Sequence, residues 1–338
     1  MRPLYAAWMD NWERRLADRD TNRVVRPFEW GLDWLDGCGR NGHPASELAD
    51  YVASALADTD RFFDHRGSVP FRLQERRLSF PSALTTAYEE NNRVHATYFH
   101  AAGHRGRAVL VLPQWNADAS SHHGLCRLLN VFGLSALRMS LPYHDERKPA
   151  HLKRADYNVS SNLGRTIHAT RQAVLDARRS LDWLQSQGYE RLGILGTSLG
   201  SCVAFLAAAH ESRLRAAVFN HVSMYFSDVV WSGLSCRHIR PSIEAQVSRD
   251  QLRAWWSVIS PATYLDRLHG RALESLLVWG RHDSTFLPEY SRQVVEEFQA
   301  RGYAHEVLEM PCGHYTSGRF PFNWWDGLRM CGFLRRKL

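Results

Sequence analysis

A serine between two glycines, in the pattern Gly-x-Ser-x-Gly, is the first feature of this sequence that could carry out chemistry. The pattern occupies residues 196–200, with Ser198 at its centre. The apolar run 192–195 before it favours a strand, and the run 201–209 after it favours a helix. A serine on such a sharp turn is held in a strained backbone conformation that exposes its hydroxyl above the sheet. We therefore predict that Ser198 is a nucleophile; the alternative is an ordinary glycine-rich turn that holds a phosphate.

A serine hydroxyl is a weak nucleophile, so it needs a base to accept its proton and an acid to orient that base. Asp283 lies in the loop that directly follows the predicted strand 276–279, and His314 follows the short predicted strand 304–309 in the same way. Open α/β sheets place their sites at the carboxyl ends of the strands, where these residues should meet. We predict that His314 accepts the proton of Ser198 and that Asp283 orients His314.

Other residues could take these roles, and each assignment has a structural alternative. Asp228, which follows another predicted strand, is the competing acid. Asp283 could instead stabilise the start of the helix that follows it, and His314 could be an ordinary surface histidine. His282 is predicted to point away from the site, and His305 lies within a strand and is predicted to be structural.

The negative charge that develops on an attacked carbonyl oxygen needs two backbone donors. One is predicted to be the N–H of Leu199, the residue after the nucleophile. The second should come from the turn 113–116, which follows a buried strand. We favour the N–H of Trp115, with Gln114 as the second choice, because Pro113 has no N–H.

Metal ions and organic cofactors are not expected. The neighbouring His122 and His123 have no carboxylate or cysteine partner at ligand spacing and are interpreted as histidines at the start of a helix. The six cysteines contain no Cys-x-x-Cys pair, which disfavours zinc and redox motifs. No Gly-x-Gly-x-x-Gly pattern follows the first strand of the sheet, which disfavours dinucleotide binding.

The elements that would hold these residues alternate between strands and helices. A continuous apolar run predicts a buried parallel strand at 108–112. Further strands are predicted at 134–139, 192–195, 215–219, 276–279 and 304–309. Two half-exposed strands are predicted at 71–80 and 94–99. Helices are predicted at 162–187, 288–301 and 320–336, the first of them capped by Ser160 or Ser161. This order predicts the α/β class, with a doubly wound, mostly parallel sheet and helices on both faces.

Two segments look like additions to that sheet. Residues 1–70 are predicted to form an N-terminal helical extension to a main domain of residues 71–338. Apolar residues at helical spacing predict one buried face on its first helix: Leu4, Trp8, Trp12 and Leu16. Residues 221–270 lack a clear strand and are predicted to be an inserted lid that sets acyl selectivity. Its aromatic residues would cover the nucleophile: Tyr225, Phe226, Trp231, Trp255 and Trp256.

Taken together, the serine turn 196–200, the turn 113–116, Asp283 and His314 resemble the α/β-hydrolase superfamily over residues 71–338. The segment 141–149, which contains Pro142-Tyr143 and Arg147-Lys148-Pro149 and precedes a long helix, resembles the alpha/beta hydrolase domain-containing family 18. Eukaryotic relatives of that family are implicated in lipid deacylation. The chain is similar, more loosely, to dienelactone-hydrolase-type and acetyl-esterase relatives. Ser201 is a departure from the family pattern, in which a second glycine is common after the serine turn.

Arg147 and Lys148 also have a functional interpretation. They could bind an anionic part of a substrate, such as a phosphate or a carboxylate, near the mouth of the site. The alternative, which we favour, is a solvated basic loop that packs on a neighbouring element.

Composition limits the partners. The chain has 42 Lys and Arg against 35 Asp and Glu, a formal charge of +7, but no basic stripe interleaved with aromatics. Nucleic-acid binding is therefore not expected. No run approaches the roughly 18 apolar residues of a membrane span, and no leader-like apolar segment begins the sequence. A cytoplasmic protein without stable membrane insertion is expected, and its oligomeric state stays open.

The resemblance and the residues together imply a serine hydrolase that cleaves a carboxylic ester, of a lipid or of a small acyl group, through an acyl-enzyme. An acyltransferase or a peptidase could use the same three residues. A non-catalytic binding protein on a hydrolase scaffold is a further alternative.

Overall fold

A computed structural model describes residues 2–39, 42–65, 67, 69–103 and 106–338 of the chain. Within these residues, nine strands form one sheet in the order β1-β2-β3-β5-β4-β6-β7-β8-β9. In chain order they are β1 (Arg72–Gln74), β2 (Arg77–Pro81), β3 (Arg93–Phe99), β4 (Arg107–Leu112), β5 (Ser135–Met139), β6 (Arg191–Thr197), β7 (Leu214–Asn220), β8 (Glu274–Gly280) and β9 (His305–Met310). The pairs β1-β2, β2-β3 and β3-β5 are antiparallel, and the other neighbours are parallel.

Eleven α-helices accompany the sheet in the described residues. They are α1 (Arg2–Ala17), α2 (Pro44–Ala57), α3 (Thr59–Phe62), α4 (His123–Val131), α5 (Leu163–Ser186), α6 (Leu199–His210), α7 (Phe226–Ser232), α8 (Arg240–Glu244), α9 (Arg249–Trp255), α10 (Pro288–Ala300) and α11 (Phe322–Lys337). In the part of the chain that the structure describes, none of the helices combines the length and the apolar character needed to cross a membrane.

Both faces of the sheet are covered, which is why its central strands are continuously apolar. Along β4, Leu110 and Leu112 belong to the apolar cluster under α5 and α6, whereas Val109 and Val111 belong to the cluster under α4 and α11. Successive side chains of a strand point to opposite faces, so an unbroken apolar run is what burial on both faces requires. The predicted doubly wound, mostly parallel sheet is confirmed.

Two local predictions were wrong in detail. The segment 71–80 forms a hairpin of β1 and β2, because the chain turns at Glu75, which has a left-handed φ of 54°. The long helix α5 is capped by Asn162, whose side-chain oxygen accepts the N–H of Arg165 at 2.8 Å. Ser161 cannot serve as the cap because its hydroxyl lies 2.7 Å from the carbonyl of Pro27.

The buried face of α1 is also not the predicted one. Leu4 and Trp8 are 77% and 53% exposed, whereas Met9 and Glu13 are fully buried. Leu16, which the apolar spacing did predict, is buried as well. The helix packs against the loops that follow β8 and β9, and these loops offer polar groups as well as apolar surface. The division of the chain at residue 70 stays a prediction.

The basic segment before α5 does not face a substrate site. The side chain of Arg147 is fully buried, and its guanidinium donates to Asp176 of α5 at 2.8 Å. It also donates to the carbonyls of Asn91 and Ser140, at 2.9 and 3.0 Å. The interpretation of Arg147 as an anion ligand was therefore wrong. The favoured interpretation was right that the loop packs on neighbouring elements and wrong that Arg147 is solvated. Its ion pair ties the end of β5 to α5 and to the connection between β2 and β3.

Replacing Arg147 by methionine is expected to lower the free energy of unfolding by about 3–5 kcal/mol, because it leaves the Asp176 carboxylate buried without its cation. Urea unfolding measures the change. The matched control is Lys148→Met at the neighbouring, half-buried lysine, whose expected effect is within about 0.5 kcal/mol. Equal stability of the two variants would contradict a structural role for the ion pair.

Candidate active site

Ser198 lies on the turn between β6 and α6, at the carboxyl edge of the sheet. Its backbone has φ 56° and ψ −119°, a conformation that costs free energy for a residue with a Cβ. The N–H of Ser198 donates to the carbonyl of Asn220, at the end of β7, at 2.7 Å. The hydroxyl of Ser201 lies 2.7 Å from the Ser198 carbonyl and 2.6 Å from that of His221. These bonds fix the strained turn to the end of the neighbouring strand.

The glycines of the motif permit two close backbone approaches. A Cβ on Gly196 would lie 2.1 Å from the carbonyl oxygen of Gly200. A Cβ on Gly200 would lie 2.3 Å from the carbonyl oxygen of Leu112, the last residue of β4. The start of α6 therefore packs directly against the end of β4, and the turn 113–116 lies beside Ser198.

A continuous hydrogen-bonded relay links Ser198, His314 and Asp283. The Ser198 Oγ lies 3.1 Å from Nε2 of His314, and Nδ1 of His314 lies 3.2 Å from Oδ2 of Asp283. The other carboxylate oxygen, Oδ1, accepts the backbone N–H groups of Thr285 and Phe286, each at 2.7 Å. The three residues come from the loops after β6, β8 and β9, as their sequence positions predicted.

The charges of the relay reinforce one another. Burial alone would raise the pKa of Asp283, but His314 and the hydrogen-bonded His221 hold that pKa far below its usual range. Burial alone would lower the pKa of His314, but the Asp283 carboxylate, assisted by that of Glu13, raises it above the usual value. An ionised acid beside a histidine of raised basicity suits proton transfer from a serine hydroxyl.

His221 is part of the site and was missed from the sequence. Its Nδ1 lies 2.7 Å from Oδ2 of Asp283, so two histidines share one carboxylate oxygen. Its ring centroid lies 4.8 Å from that of His314, and its backbone has a left-handed φ of 60°. Its position directly after β7, at the same edge of the sheet as the other loops, could have identified it.

The competing assignments lie elsewhere. Asp228 is in α7, where it forms ion pairs with Arg253 at 2.5 Å and Arg249 at 3.2 Å. The ring of His282 packs on Tyr5 of α1. His305, at the start of β9, is bonded through Nδ1 to the carbonyl of its neighbour Tyr303 at 2.7 Å. The predictions for His282 and His305 agree with these contacts.

The turn 113–116 is fixed by a buried histidine. The N–H of Asn116 donates to Nε2 of His144 at 2.9 Å, and Nδ1 of His144 lies 2.9 Å from the carbonyl of Pro142. Burial lowers the pKa of His144 to about 4, which keeps Nε2 free to accept at neutral pH. Because Asn116 is engaged, Trp115 and Gln114 stay the candidates for the second oxyanion donor, beside Leu199 at the start of α6.

Two spaces meet at Ser198. One is a small apolar cavity, lined by Trp115, Val159, Ser198, Leu199, Cys202, Ser223, Tyr225, Phe226, Val229, Val230, Ser235, Cys236, Thr285 and Phe286. The other is a larger, more polar cleft, whose lining includes Gln114, Arg127, Arg154, His221, His314 and Asp326. Asp326 was not singled out from the sequence; burial raises its pKa to about 7.

The segment 221–270 contributes one wall of the apolar cavity, but not through all of its aromatic residues. Tyr225 and Phe226 line the cavity. Trp255 and Trp256 are buried in the main apolar cluster instead, where Nε1 of Trp256 donates to the carbonyl of Leu163 at 3.3 Å. The expectation that Trp255 and Trp256 cover the nucleophile was therefore wrong, because both pack in the apolar core.

One group of ligand-type residues in the described chain could hold a metal ion, namely His221, Asp283 and His314. Their nitrogen and oxygen atoms lie within 4.8 Å of one another. Both Nδ1 atoms are already bonded to the same carboxylate oxygen. His123 begins α4 and His122 precedes it, as predicted, and Nε2 of His122 lies 3.1 Å from Oγ1 of Thr197. The absence of a cofactor stays a prediction.

The sheet order and the serine turn define the α/β-hydrolase fold. The model of the family described as alpha/beta hydrolase domain containing 18 matches residues 125–276, somewhat less than half of the chain. This match confirms the resemblance that the segment 141–149 indicated. An uncharacterized protein of Mycobacterium tuberculosis (strain H37Rv) is 38% identical over 93 residues, which are 27% of this chain and 22% of that protein. The chain thus matches only about a fifth of that relative's length.

Solved structures share the fold at low sequence identity. An acetyl xylan esterase from Paenibacillus sp. R4 superposes with a TM-score of 0.60 and 16% identity, over 88% of this chain and 100% of that one. Acetyl xylan esterase 1 from Thermoanaerobacterium sp. gives 0.58 and 14%, over 88% and 99%. An acylaminoacyl peptidase from Pyrococcus horikoshii gives 0.58 and 12%, over 80% of this chain and 42% of that one.

Replacing Asp283 by asparagine is expected to lower kcat for an activated ester by about 10⁴-fold, because the amide leaves His314 in the wrong tautomer. The matched control is Asp228→Asn, which removes the competing buried carboxylate from the inserted segment and should leave kcat nearly unchanged. Steady-state kinetics on the two folded variants measure the difference. A larger loss in Asp228→Asn would reverse the assignment of the acid.

Proposed function

We propose that this chain is a serine hydrolase that cleaves a carboxylic ester through an acyl-enzyme on Ser198. The observation that carries the proposal is the unbroken relay from the Ser198 hydroxyl through His314 to Asp283, with distances of 3.1 and 3.2 Å. The serine lies on a strained turn, and the acid is held by two backbone N–H groups. Such preorganisation has a free-energy cost that function explains better than stability does.

In the proposed reaction, Oγ of Ser198 attacks the ester carbonyl while its proton passes to Nε2 of His314. The tetrahedral oxyanion accepts hydrogen bonds from the N–H of Leu199 and from that of Trp115 or Gln114. When the intermediate collapses, the alcohol leaves with the proton from His314. A water molecule then gives a proton to His314 and attacks the acyl carbon, and Ser198 recovers its proton as the acid departs.

The two spaces at Ser198 suggest how the ester is divided. The apolar cavity beside Leu199 and the inserted segment suits the acyl group, and the larger polar cleft suits the alcohol. The proposed substrate therefore has a small acyl group and a larger, polar alcohol. The names of two structural neighbours, which specify an acetylated polysaccharide, agree with this division. Under this proposal, residues 221–270 determine acyl selectivity.

Replacing Ser198 by alanine is expected to lower ester turnover by about 10⁶-fold and to abolish labelling by a fluorophosphonate probe, because the variant lacks the hydroxyl that is bonded to Nε2 of His314. The matched control is Ser186→Ala at the end of α5, far from the relay. Undiminished turnover in Ser198→Ala would refute the proposal. Formation of an acylated product when an alcohol or amine is added would identify an acyltransferase instead.

Replacing Val229 by phenylalanine is expected to narrow the apolar cavity, because this residue of α7 lines it. The ratio of kcat/KM for butyryl over acetyl esters should fall about tenfold or more, as a methylene or two is worth about 1–3 kcal/mol in an apolar site. A panel of 4-nitrophenyl esters measures the ratio. The same substitution at Val131, an exposed residue on the rim of the polar cleft, should leave it unchanged. If the two variants had equal ratios, the inserted segment would not determine acyl selectivity.

A further inference from the structure

Beneath the relay lies a second buried carboxylate, Glu13 of α1, which sequence analysis did not single out. Its side chain is fully buried. Its Oε1 accepts the backbone N–H of Thr316 at 2.7 Å, and its Oε2 accepts the N–H of Tyr315 and the hydroxyl of Ser284, each at 3.1 Å. Three donors from two loops therefore bind one carboxylate, and that carboxylate belongs to a helix distant from both loops in sequence.

Two of these donors are the immediate sequence neighbours of relay residues, and the third, Thr316, is one residue further on. Ser284 follows Asp283, and Tyr315 follows His314. Glu13 thus bridges the loop that carries the acid and the loop that carries the base. The approach is close: a Cβ on Gly313 would lie 2.3 Å from Cδ of Glu13. A Cβ there would also lie 2.5 Å from the carbonyl oxygen of His282, so the position before His314 requires a glycine.

The rest of α1 supports the same contact. The hydroxyl of Tyr5 donates to the carbonyl of Pro311 at 2.5 Å. The hydroxyl of Thr316 lies 3.3 Å from Sδ of Met9. Successive turns of the helix therefore hold the loop 311–317 from below.

All three donors to Glu13 are electrically neutral, and no arginine or lysine of the described residues forms an ion pair with it. Neutral donors do not compensate the charge of a carboxylate, and in a dry environment an uncompensated charge acts over several ångströms. The Glu13 charge contributes, after Asp283, to raising the pKa of His314.

We propose that Glu13 is a positioning residue for the relay, holding the acid and base loops in register and supplying a second negative charge behind His314. Under this proposal, α1 contributes a functional residue to the site in addition to packing against it. The role rests on the proposed function of the relay. Glu13 acts through His314 and has no contact with the substrate.

Several titratable groups surround His314 and set the direction of the expected pH effect. They are Asp283 after β8, Glu13 on α1, His221 after β7, Tyr315 and Cys312 on the loop of His314 itself, and Asp326 of α11 across the cleft. Removing the Glu13 charge removes stabilisation of the imidazolium, so the pKa of His314 falls. The acid limb of the kcat/KM profile, which follows the free enzyme, should therefore move to lower pH.

Three variants separate charge from geometry. Glu13→Gln removes the charge and faces an amide N–H₂ towards a backbone donor, so kcat should fall of the order of 10²-fold and the acid limb should move to lower pH. Glu13→Asp keeps the charge but shortens the side chain by one methylene. We therefore expect kcat to fall, while the acid limb moves less than in Glu13→Gln. The matched control is Asp10→Asn, which removes an exposed carboxylate from the same helix and should change neither quantity.

A direct titration of His314 by NMR, assigned with His314→Gln, gives a readout that needs no turnover. A lower pKa of His314 in Glu13→Gln supports the proposal even if Ser198→Ala were to show that the chain is not a hydrolase. An unchanged kcat, or a lower kcat with an unchanged pKa of His314, would overturn it. If Glu13→Gln does not fold, wild-type kcat in Glu13→Asp would overturn the positioning role on its own.

Discussion

One carboxylate oxygen is the point on which the candidate site depends. Oδ2 of Asp283 accepts hydrogen bonds from His314 and from His221, and these two histidines follow different strands. The arrangement exists only where the carboxyl ends of β7, β8 and β9 lie side by side, as the parallel order of the sheet provides. A buried carboxylate without such partners would be costly, so the convergence of the loops and the ionisation of Asp283 depend on each other.

The part of the site that could be predicted is the part carried by local patterns. Ser198, Asp283 and His314 each follow a predicted strand, and the general placement of sites at the carboxyl ends of strands brings them together. The main strands were predictable for the same reason, since burial on both faces requires unbroken apolar runs. The hairpin at Glu75 could not be predicted, because a single left-handed residue interrupts an otherwise regular alternation.

His221 and Glu13 could not be identified because their importance comes from contacts distant in sequence. The bond from His221 to Asp283 spans 62 residues, and that from Thr316 to Glu13 spans 303. The apolar spacing of α1 led to Leu4 and Trp8, because periodicity indicates a helix but not which of its faces meets polar loops. Arg147 shows the same limit: a basic segment reads as solvated unless its buried partner, Asp176, is known.

The contact between Glu13 and the loop of His314 also orders events in time. Glu13 is synthesised 303 residues before Thr316, which is about 15–60 s earlier at typical rates of 5–20 residues per second. Throughout that interval, the two residues whose backbone N–H groups bind the carboxylate, Tyr315 and Thr316, have not yet been made. The contact between α1 and the loop of His314 therefore forms late, and a nascent chain carries the turn of Ser198 well before the relay is complete.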